Sequence, residues 1–564
     1  MKTTGAGLIL TLLERQGITT VAGIPGGANL PLYDALNASR IRHVLARHEQ
    51  GAGFIAQGMA RATGRPAVCF GTSGPGATNL LTAIADAKLD SIPLVAITGQ
   101  VPRAMIGTDA FQEIDTYGLT IPITKHNYLV RSAAELLEVL PDAFRVAASG
   151  RPGPVVVDVP KDVQCAAIDV DRLPAPGRPD APPALDRDGV RRAAELLRDA
   201  RRPVLLVGAG VIASGAAGLV RDLAERASIP VAATLLGLGA LSDEHPLSLG
   251  MIGMHGAPFV NHLLEECDLL VGLGVRFDDR ATGKASEFCP RARIVHVDVD
   301  ASEIGKIKTP VLGLRADVRE FLDELLPLVA AAPAARDGWR ARQAELRAAW
   351  PLAMPGADDP LQPYGIVRAA AAQLGEDPIV TTDVGQHQMW VAQAFPFRRP
   401  RQLLTSGGLG TMGFGLPAAI GAALAAPDRR VLCFTGDGSL LMNIQELATA
   451  VEERVNVKII LLNNGHLGLV RQQQQLFYGG RYQASRFHAE PDFAAIARAF
   501  GMTALRLGDA SEPRAALAAA LGEPGPCLID VPIEREANVF PMVPPGAANR
   551  DMMIAGESHA DAAA

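Results

Sequence analysis

The chain reads as an α/β protein made of three doubly wound domains with mainly parallel sheets, and three observations predict it. First, 564 residues exceed one ordinary hydrophobic core. Second, short apolar, β-branched runs recur ahead of Gly-rich turns and helical patterns: "PAVCFGTSGPG", "GPVVVDVP", "RPVLLVGAG", "RIVHVDVD", "RVLCFTGDG", "VKIILLNN". Such continuously apolar strands suit parallel sheets buried on both faces. Third, two Pro/Ala-rich breaks divide the rhythm, "DRLPAPGRPDAPPALD" (171–186) and a stretch from about Ala330 through "AAWPLAMPGADDPLQP". The resulting division is 1–168, a linker 169–188, 189–335, a linker 336–362, 363–540, and a tail 541–564 whose last residues are expected to be disordered.

Composition narrows the function. Hydrophobic residues make up 48% and charged ones 20%, with net charge −7. An acidic balance disfavours a general nucleic-acid binder. The six cysteines (69, 165, 267, 289, 433, 527) are scattered, contain no CxxC pair and sit mostly in apolar runs. They predict free thiols and a reducing cytoplasm. The opening "MKTTGAGLILTLLERQG" predicts an amphipathic helix and not a signal peptide. The apolar stretch from Thr411 to Pro427 is short for a membrane span and contains Pro417, so a buried helix is expected.

The chemistry concentrates in the third block. Gly436-Asp437-Gly438-Ser439 follows one apolar strand, and Asn463-Asn464 ends the next, Asn464 lying 27 residues after Asp437. In one βαβ unit both side chains reach the sheet edge where open α/β sheets bind ligands. A carboxylate and an amide oxygen are hard donors suited to Mg²⁺, which also takes diphosphate oxygens and water. The glycines let backbone approach phosphate at a helix N-terminus. A tight Asp-Gly turn explains "GDG" alone; the paired "NN" makes the signal specific.

The pair resembles the signature of enzymes that use thiamine diphosphate. That resemblance implies Mg²⁺ ligation by Asp437, Asn464 and the backbone carbonyl of His466, the imidazole not being a ligand. Glu49, in "RHEQGAGFIAQGMAR" (47–61), is by itself a carboxylate favoured by a helix N-terminus. Together with "GIPGGANLPLYDAL" (23–36) and "GTSGPGATNL" (71–80), it resembles the activating Glu that holds the cofactor's pyrimidine nitrogen.

Further segments extend the likeness to the acetolactate (acetohydroxyacid) synthase large subunits over nearly the whole chain. They are "TGQVPRAMIGTDAFQE" (98–113), "SGRPGPVVVDVPKDVQ" (149–164), "GVRFDDRATGK" (274–284), "TTDVGQHQMW" (381–390), "TSGGLGTMGFGLPAAIGAAL" (405–424) and, as in the bacterial isozyme I branch, "VFPMVPPGAAN" (539–549). The resemblance implies a thiamine diphosphate-binding fold in the first and third domains. Its cofactor set comprises Glu49, Ser91, Gln112, Gln386, His387, Gly410, Met412, Asp437, Gly438, Ser439, Asn464, His466, Leu467, Gly468 and Leu469. Gly26, Phe111, Gln112, Lys161 and Gln473 are expected to line the substrate.

In the middle block "VGAGVIASG" places G-x-G-x-x-A at Gly208, Gly210 and Ala213, half of a dinucleotide fingerprint. No acidic residue follows about 20 positions on, which argues against NAD; a tight βα turn explains the motif equally well. The resemblance implies a Rossmann-like domain carrying FAD on Arg151, Gly210, Leu235, Leu236, Gly253, Met254, His255, Gly256, Gly274, Val275, Arg276, Phe277, Asp278, Asp298 and Asp317.

The expected activity is decarboxylation of pyruvate and ligation of its two-carbon unit to a second 2-keto acid, giving 2-acetolactate, or 2-aceto-2-hydroxybutyrate from 2-ketobutyrate, in branched-chain amino-acid synthesis. The expected assembly is a homodimer with active sites at the interface, or a tetramer, with a small regulatory subunit. A pyruvate oxidase and a non-catalytic relative are the rivals; intact Glu49, Asp437 and Asn464 argue against the latter. The tract "VRQQQQLFYGG" carries Gln473 where many relatives have a Trp that favours 2-ketobutyrate, so a weak acceptor bias is expected. Gln472, Gln474 and Gln475 are expected at the helix surface or in packing.

Overall fold

The computed structural model describes residues 1–331, 336–375 and 377–555. Three six-stranded sheets, all parallel, follow one another along the chain. The first runs Arg42–Leu45, Thr20–Gly23, Ala67–Gly71, Leu94–Gln100, Pro154–Pro160, His126–Leu129 across the sheet. Counted within the domain, this order is 2-1-3-4-6-5. The third sheet, from Leu403–Leu404 and Ile379–Thr382 through Val431–Gly436 and Val457–Asn463 to Cys527–Pro532 and Thr503–Arg506, has the same order. The middle sheet instead runs 3-2-1-4-5-6, the order of dinucleotide-binding folds. The inner strands are buried along their length, as in "AVCFG", "PVLLV" and "VLCFTG".

Strand order locates the ligand crevices, because a crevice opens where successive connections leave a sheet in opposite directions. In the first sheet this point lies between Thr20–Gly23 and Ala67–Gly71. In the second it lies between Pro203–Val207 and Leu269–Leu273, and in the third between Ile379–Thr382 and Val431–Gly436.

The first and third domains meet along two helices, Glu49–Thr63 and Gly415–Ala425. Small residues permit a close crossing: a Cβ on Gly58 would lie 2.1 Å from the Ala418 carbonyl oxygen, and one on Gly421 1.9 Å from that of Ile55. The second helix is the buried one expected in the apolar 411–427 stretch. Among the described residues no helix is long and apolar enough to cross a membrane. The N-terminal helix is Gly5–Arg15, with Leu8, Ile9, Leu12 and Leu13 buried.

Two segments are more structured than their composition indicates. Within 336–362, read as linker, a helix Asp337–Ala349 docks on the middle domain. Trp339 donates its indole N–H to the Pro203 carbonyl, and Trp339 and Leu346 join that domain's core. The start of the tail also docks there: Val543 N donates to the Met254 carbonyl, Met542 pairs with Met553, and Asn549 Nδ2 donates to the Ala281 carbonyl. The end expected to be disordered, 556–564, lies outside the described residues.

Candidate functional site

At the third sheet's switch point a narrow pocket of ≈ 60 Å³ opens between residues 384–390 and 436–439 and the start of the helix Gly468–Phe477. It gathers most of the residues expected around the diphosphate: Gln386, His387, Met412, Asp437, Gly438, Ser439, Asn464, His466, Leu467, Gly468 and Leu469. The Asp437 carboxylate accepts from Gly438 N at 2.8 Å and Gly465 N at 2.6 Å. Gly465 has φ +68°, the left-handed conformation that glycine tolerates, and this reverses the chain after Asn464. Burial pushes the Asp437 carboxyl up to about 6 against the pull of the backbone N–H groups.

Two observations test the pocket against its expected ligand. His387 Nε2 is buried without a hydrogen-bond partner, and burial pushes this ring down to about 3. A buried ring nitrogen left unpaired beside a pocket has a ligand as its natural partner. The glycines at 436 and 438 also leave little room for a side chain: a Cβ at 436 would sit 3.0 Å from His387 Nδ1, and one at 438 would sit 2.5 Å from Leu467 Cδ2, the movable end of that side chain. Among the described residues no group of three His, Cys, Asp or Glu could hold a metal. Mg²⁺ here would therefore rest on one carboxylate, one amide oxygen and a carbonyl, with the ligand's phosphates and water completing the shell, a donor set that fits this cation.

Glu49, Gly26, Phe111, Gln112 and Lys161, expected on the first domain, lie instead in the segments that follow the strands of the first sheet. Glu49 opens its helix and is 8% exposed. Asn79 Nδ2 donates to Glu49 Oε2 at 2.9 Å, while a Cβ on Gly76 would lie 3.4 Å from Oε1. Gly26 packs on Thr72, and Gln112, at φ +59°, lies against Gly74. Lys161 follows the strand Pro154–Pro160 at the same edge, and Phe111 is 88% exposed. None of these lines the ≈ 60 Å³ pocket of the same chain.

A second cavity, ≈ 820 Å³, opens at the middle sheet's switch point and reaches all three domains. Twelve of the residues expected around the flavin line it: Arg151, Gly210, Leu235, Leu236, Met254, His255, Gly274, Val275, Arg276, Asp278, Asp298 and Asp317. Gly210 and Gly274 touch through backbone, a Cβ on Gly210 lying 2.6 Å from Gly274 Cα, so the fingerprint turn is held open by glycine on both sides. Gly253 and Gly256 shape the turn without lining the cavity. Phe277 turns away: it is 2% exposed and packs edge-on against His296. Ser91, Gly410 and Gln473, expected near thiamine diphosphate or substrate, lie on this larger cavity. There Arg151 Nε donates to Ser91 Oγ at 2.8 Å.

Between the two cavities runs the strap 405–412, with Gly407–Gly410 on the large one and Met412 in the small one. Sequence reading missed what holds it. Asp90 accepts from Gly407 N at 3.0 Å, Gly408 N at 2.7 Å and Arg61 NH2 at 2.8 Å. Asp86 accepts from Arg61 NH2 at 3.0 Å and from the Ser406 hydroxyl. Burial and the neighbouring Asp90 push Asp86 up to about 6 while Arg61 opposes them. Asp383 pins the far end through Gly413 N at 2.8 Å and Gly415 N at 3.0 Å. A carboxylate ending an apolar strand, as in "IVTTDVG", was the available signal for Asp383.

Comparison with known proteins agrees with this layout. Three family models match in order: "Thiamine pyrophosphate enzyme, N-terminal TPP binding domain" over 3–119, the central domain over 190–325, and the C-terminal TPP binding domain over 383–531. The chain is 59% identical over 551 residues to the acetolactate synthase isozyme 1 large subunit of Escherichia coli (strain K12), covering 98% of this chain and 97% of that one. It is 46% identical over 551 residues to the isozyme 2 large subunit of the same organism (97% and 99% covered). It is 43% identical over 564 residues to the acetolactate synthase large subunit of Pyropia yezoensis (98% and 95%). With its sheets, crevices and near-complete alignment all in agreement, the chain belongs to the acetolactate synthase large-subunit family of thiamine pyrophosphate enzymes.

Proposed function

We propose that the chain joins two molecules of pyruvate into 2-acetolactate with loss of CO₂, or pyruvate and 2-ketobutyrate into 2-aceto-2-hydroxybutyrate, the first common step toward valine, leucine and isoleucine. The observation that carries this reading is the pocket at the third sheet's switch point, where Asp437, Asn464 and the unpaired His387 Nε2 converge beside a glycine cradle. When bound, thiamine diphosphate supplies the nucleophile and electron sink for decarboxylation. The protein binds and orients. Asp437, the Asn464 side chain and the His466 carbonyl would hold Mg²⁺ beside the diphosphate, and the unpaired His387 Nε2 would be available to the bound group. Asn79 fixes one oxygen of Glu49, and Oε1 would be the one left to share a proton with the pyrimidine nitrogen. Apolar Met412 and Leu469 also line the pocket and would limit water around the bound group.

The site is completed by a second copy. A pocket of ≈ 60 Å³ accommodates only part of a cofactor-sized ligand, which ordinarily occupies roughly 300–1,000 Å³. Exposed Phe111 (88%), Ile121 (58%) and Met442 (50%) supply apolar surface for such an interface. Glu49 then serves in trans to Asp437. The ≈ 820 Å³ cavity takes FAD, whose size it suits. The relatives named as large subunits support a small-subunit partner, and six free thiols, five of them buried, support a reducing cytoplasm.

The test is complementation. Glu49→Gln and Asp437→Asn subunits are each expected to be inactive alone. After unfolding and refolding together, the mixed dimers carry one intact site, and acetolactate production returns to roughly a quarter of the parental level. No recovery would place both residues in one chain's site. Full activity of Glu49→Gln alone would remove the proposed proton path.

A further inference from the structure

An asparagine amide is nearly symmetric in shape, yet only its oxygen binds a cation. Which end faces the cation is decided by the hydrogen bonds around it.

We propose that Gln472 is a positioning residue which, acting through Gln386, turns the Asn464 amide oxygen toward the cation. The inference rests on the cation reading above. Val539 anchors the series, because its peptide offers both signs: its N–H donates to Gln472 Oε1 at 2.9 Å, and its carbonyl accepts from Gln472 Nε2 at 2.8 Å. Only one orientation of Gln472 satisfies both. Gln472 Oε1 then accepts from Gln386 Nε2 at 2.9 Å, and the Ala537 carbonyl accepts from the same NH₂ at 2.7 Å. With its NH₂ committed, Gln386 presents Oε1 to Asn464 and accepts from Nδ2 at 3.2 Å. The Asn464 NH₂ is thereby turned to Gln386, and Oδ1 faces the other way, where it accepts from His466 N at 3.1 Å.

Burial makes the series binding. Gln472, Gln386 and Asn464 are 0%, 3% and 7% exposed, so water does not substitute for a lost partner. The glycine at 468 belongs to the device: a Cβ there would lie 2.1 Å from Gln386 Oε1 and 2.8 Å from Asn464 Nδ2. Gln472 stands one turn further along the same face of that helix. Its neighbours do other things. Gln474 bonds to Ser485 and the Gln483 carbonyl, Gln475 to Arg471 and Asn538, and Gln473 is exposed on the large cavity.

The test uses Mn²⁺ as the probe, titrated into the full-length protein with thiamine diphosphate and read by the electron paramagnetic resonance signal of free Mn²⁺. Gln472→Met keeps the unbranched length and removes both polar atoms. Its Mn²⁺ dissociation constant is expected to rise about ten- to a hundred-fold, while kcat at saturating Mg²⁺ stays within about three-fold of the parent. In an Asn464→Ala background the same substitution is expected to add no further loss, which a purely structural role would not reproduce. Should Gln472→Met not fold, Gln472→Glu carries the test: it keeps the acceptor for Gln386 but sets an oxygen against the Val539 carbonyl, with the same expected direction. A Mn²⁺ constant within about two-fold of the parent, or equal losses with and without the Asn464 amide, would overturn the proposal. Loss of Mn²⁺ binding in the Asp437→Asn control tests the cation reading itself; if that control binds normally, the failure lies there and not in the relay.

Discussion

Asp90 offers the sharpest test of how the strap 405–412 is held. Its carboxylate is buried and accepts three hydrogen bonds, two from the backbone of Gly407 and Gly408 and one from Arg61. Asp90→Ala leaves both strap N–H groups unpaired, each costing about 1–3 kcal/mol. It also leaves Arg61 with Asp86 as its one carboxylate partner, and breaking such a buried pair costs about 3–5 kcal/mol. These overlap, so about 4 kcal/mol is the expected loss, or roughly 10 °C in the unfolding temperature of a domain-sized unit. Asp90→Asn keeps one acceptor and is expected to lose less. Because Met412 ends the strap, the half-saturating concentration of thiamine diphosphate should rise in Asp90→Ala as well. Scanning calorimetry and a cofactor titration make the measurements. A loss below about 1 kcal/mol, or full destabilisation with unchanged cofactor binding, would refute the claim that this carboxylate sets the strap.

Three further outcomes follow from particular residues. Gly421→Ala would gain up to about 1 kcal/mol of helix propensity in an open helix, but its Cβ meets the Ile55 carbonyl oxygen at 1.9 Å. It should therefore destabilise by at least ~1–3 kcal/mol, whereas Gly218→Ala, with nothing within 4 Å, should be neutral or stabilising; paired thermal melts decide. Asp158 is fully buried, and burial pushes it up to about 7 despite its bonds from Thr98 and Gln100. The folded state thus holds an extra proton between about pH 4 and 7, and its stabilisation, about 4 kcal/mol, is lost as pH rises through that window; denaturant midpoints of Asp158→Asn should show a flatter profile there than the parent. Gln473→Trp should raise the preference for 2-ketobutyrate over pyruvate as acceptor by roughly ten-fold, the effect of one methylene against an apolar wall, in a competition assay; an unchanged product ratio would sever Gln473 from the acceptor.

What could be read from sequence is what local pattern encodes. Apolar strands ending in Gly-rich turns announced the three parallel sheets, and Asp437 with Asn464 was legible because one βαβ unit carries both. The missing parts are long-range. Gln386 reaches Gln472 across 86 residues, and Asp90 reaches Gly408 across 318; no periodicity records such pairings. The helix Asp337–Ala349 was hidden by its Pro/Ala-rich flanks, although its Ala and Arg content favours helix and Trp339 supplies an anchor. Fine placement was likewise invisible: Phe277 sits in a motif expected at the flavin, yet its ring fills the core beside His296.

The junction of the first and third domains also bears on how the chain folds. Arg47 N and His48 N, at the threshold of the Glu49 helix, both donate to Glu446 Oε1, at 2.9 and 3.1 Å. That partner lies 399 and 398 residues further along the chain. As the chain emerges during synthesis, the first sheet can assemble from its own contiguous strands. The amides that set the entry to the Glu49 helix wait for the third domain, so the Glu49 edge is among the last parts of the first domain to be fixed. A ribosome-bound chain halted before residue 446 would carry a packed first domain whose Glu49 end still exchanges its amide protons with solvent.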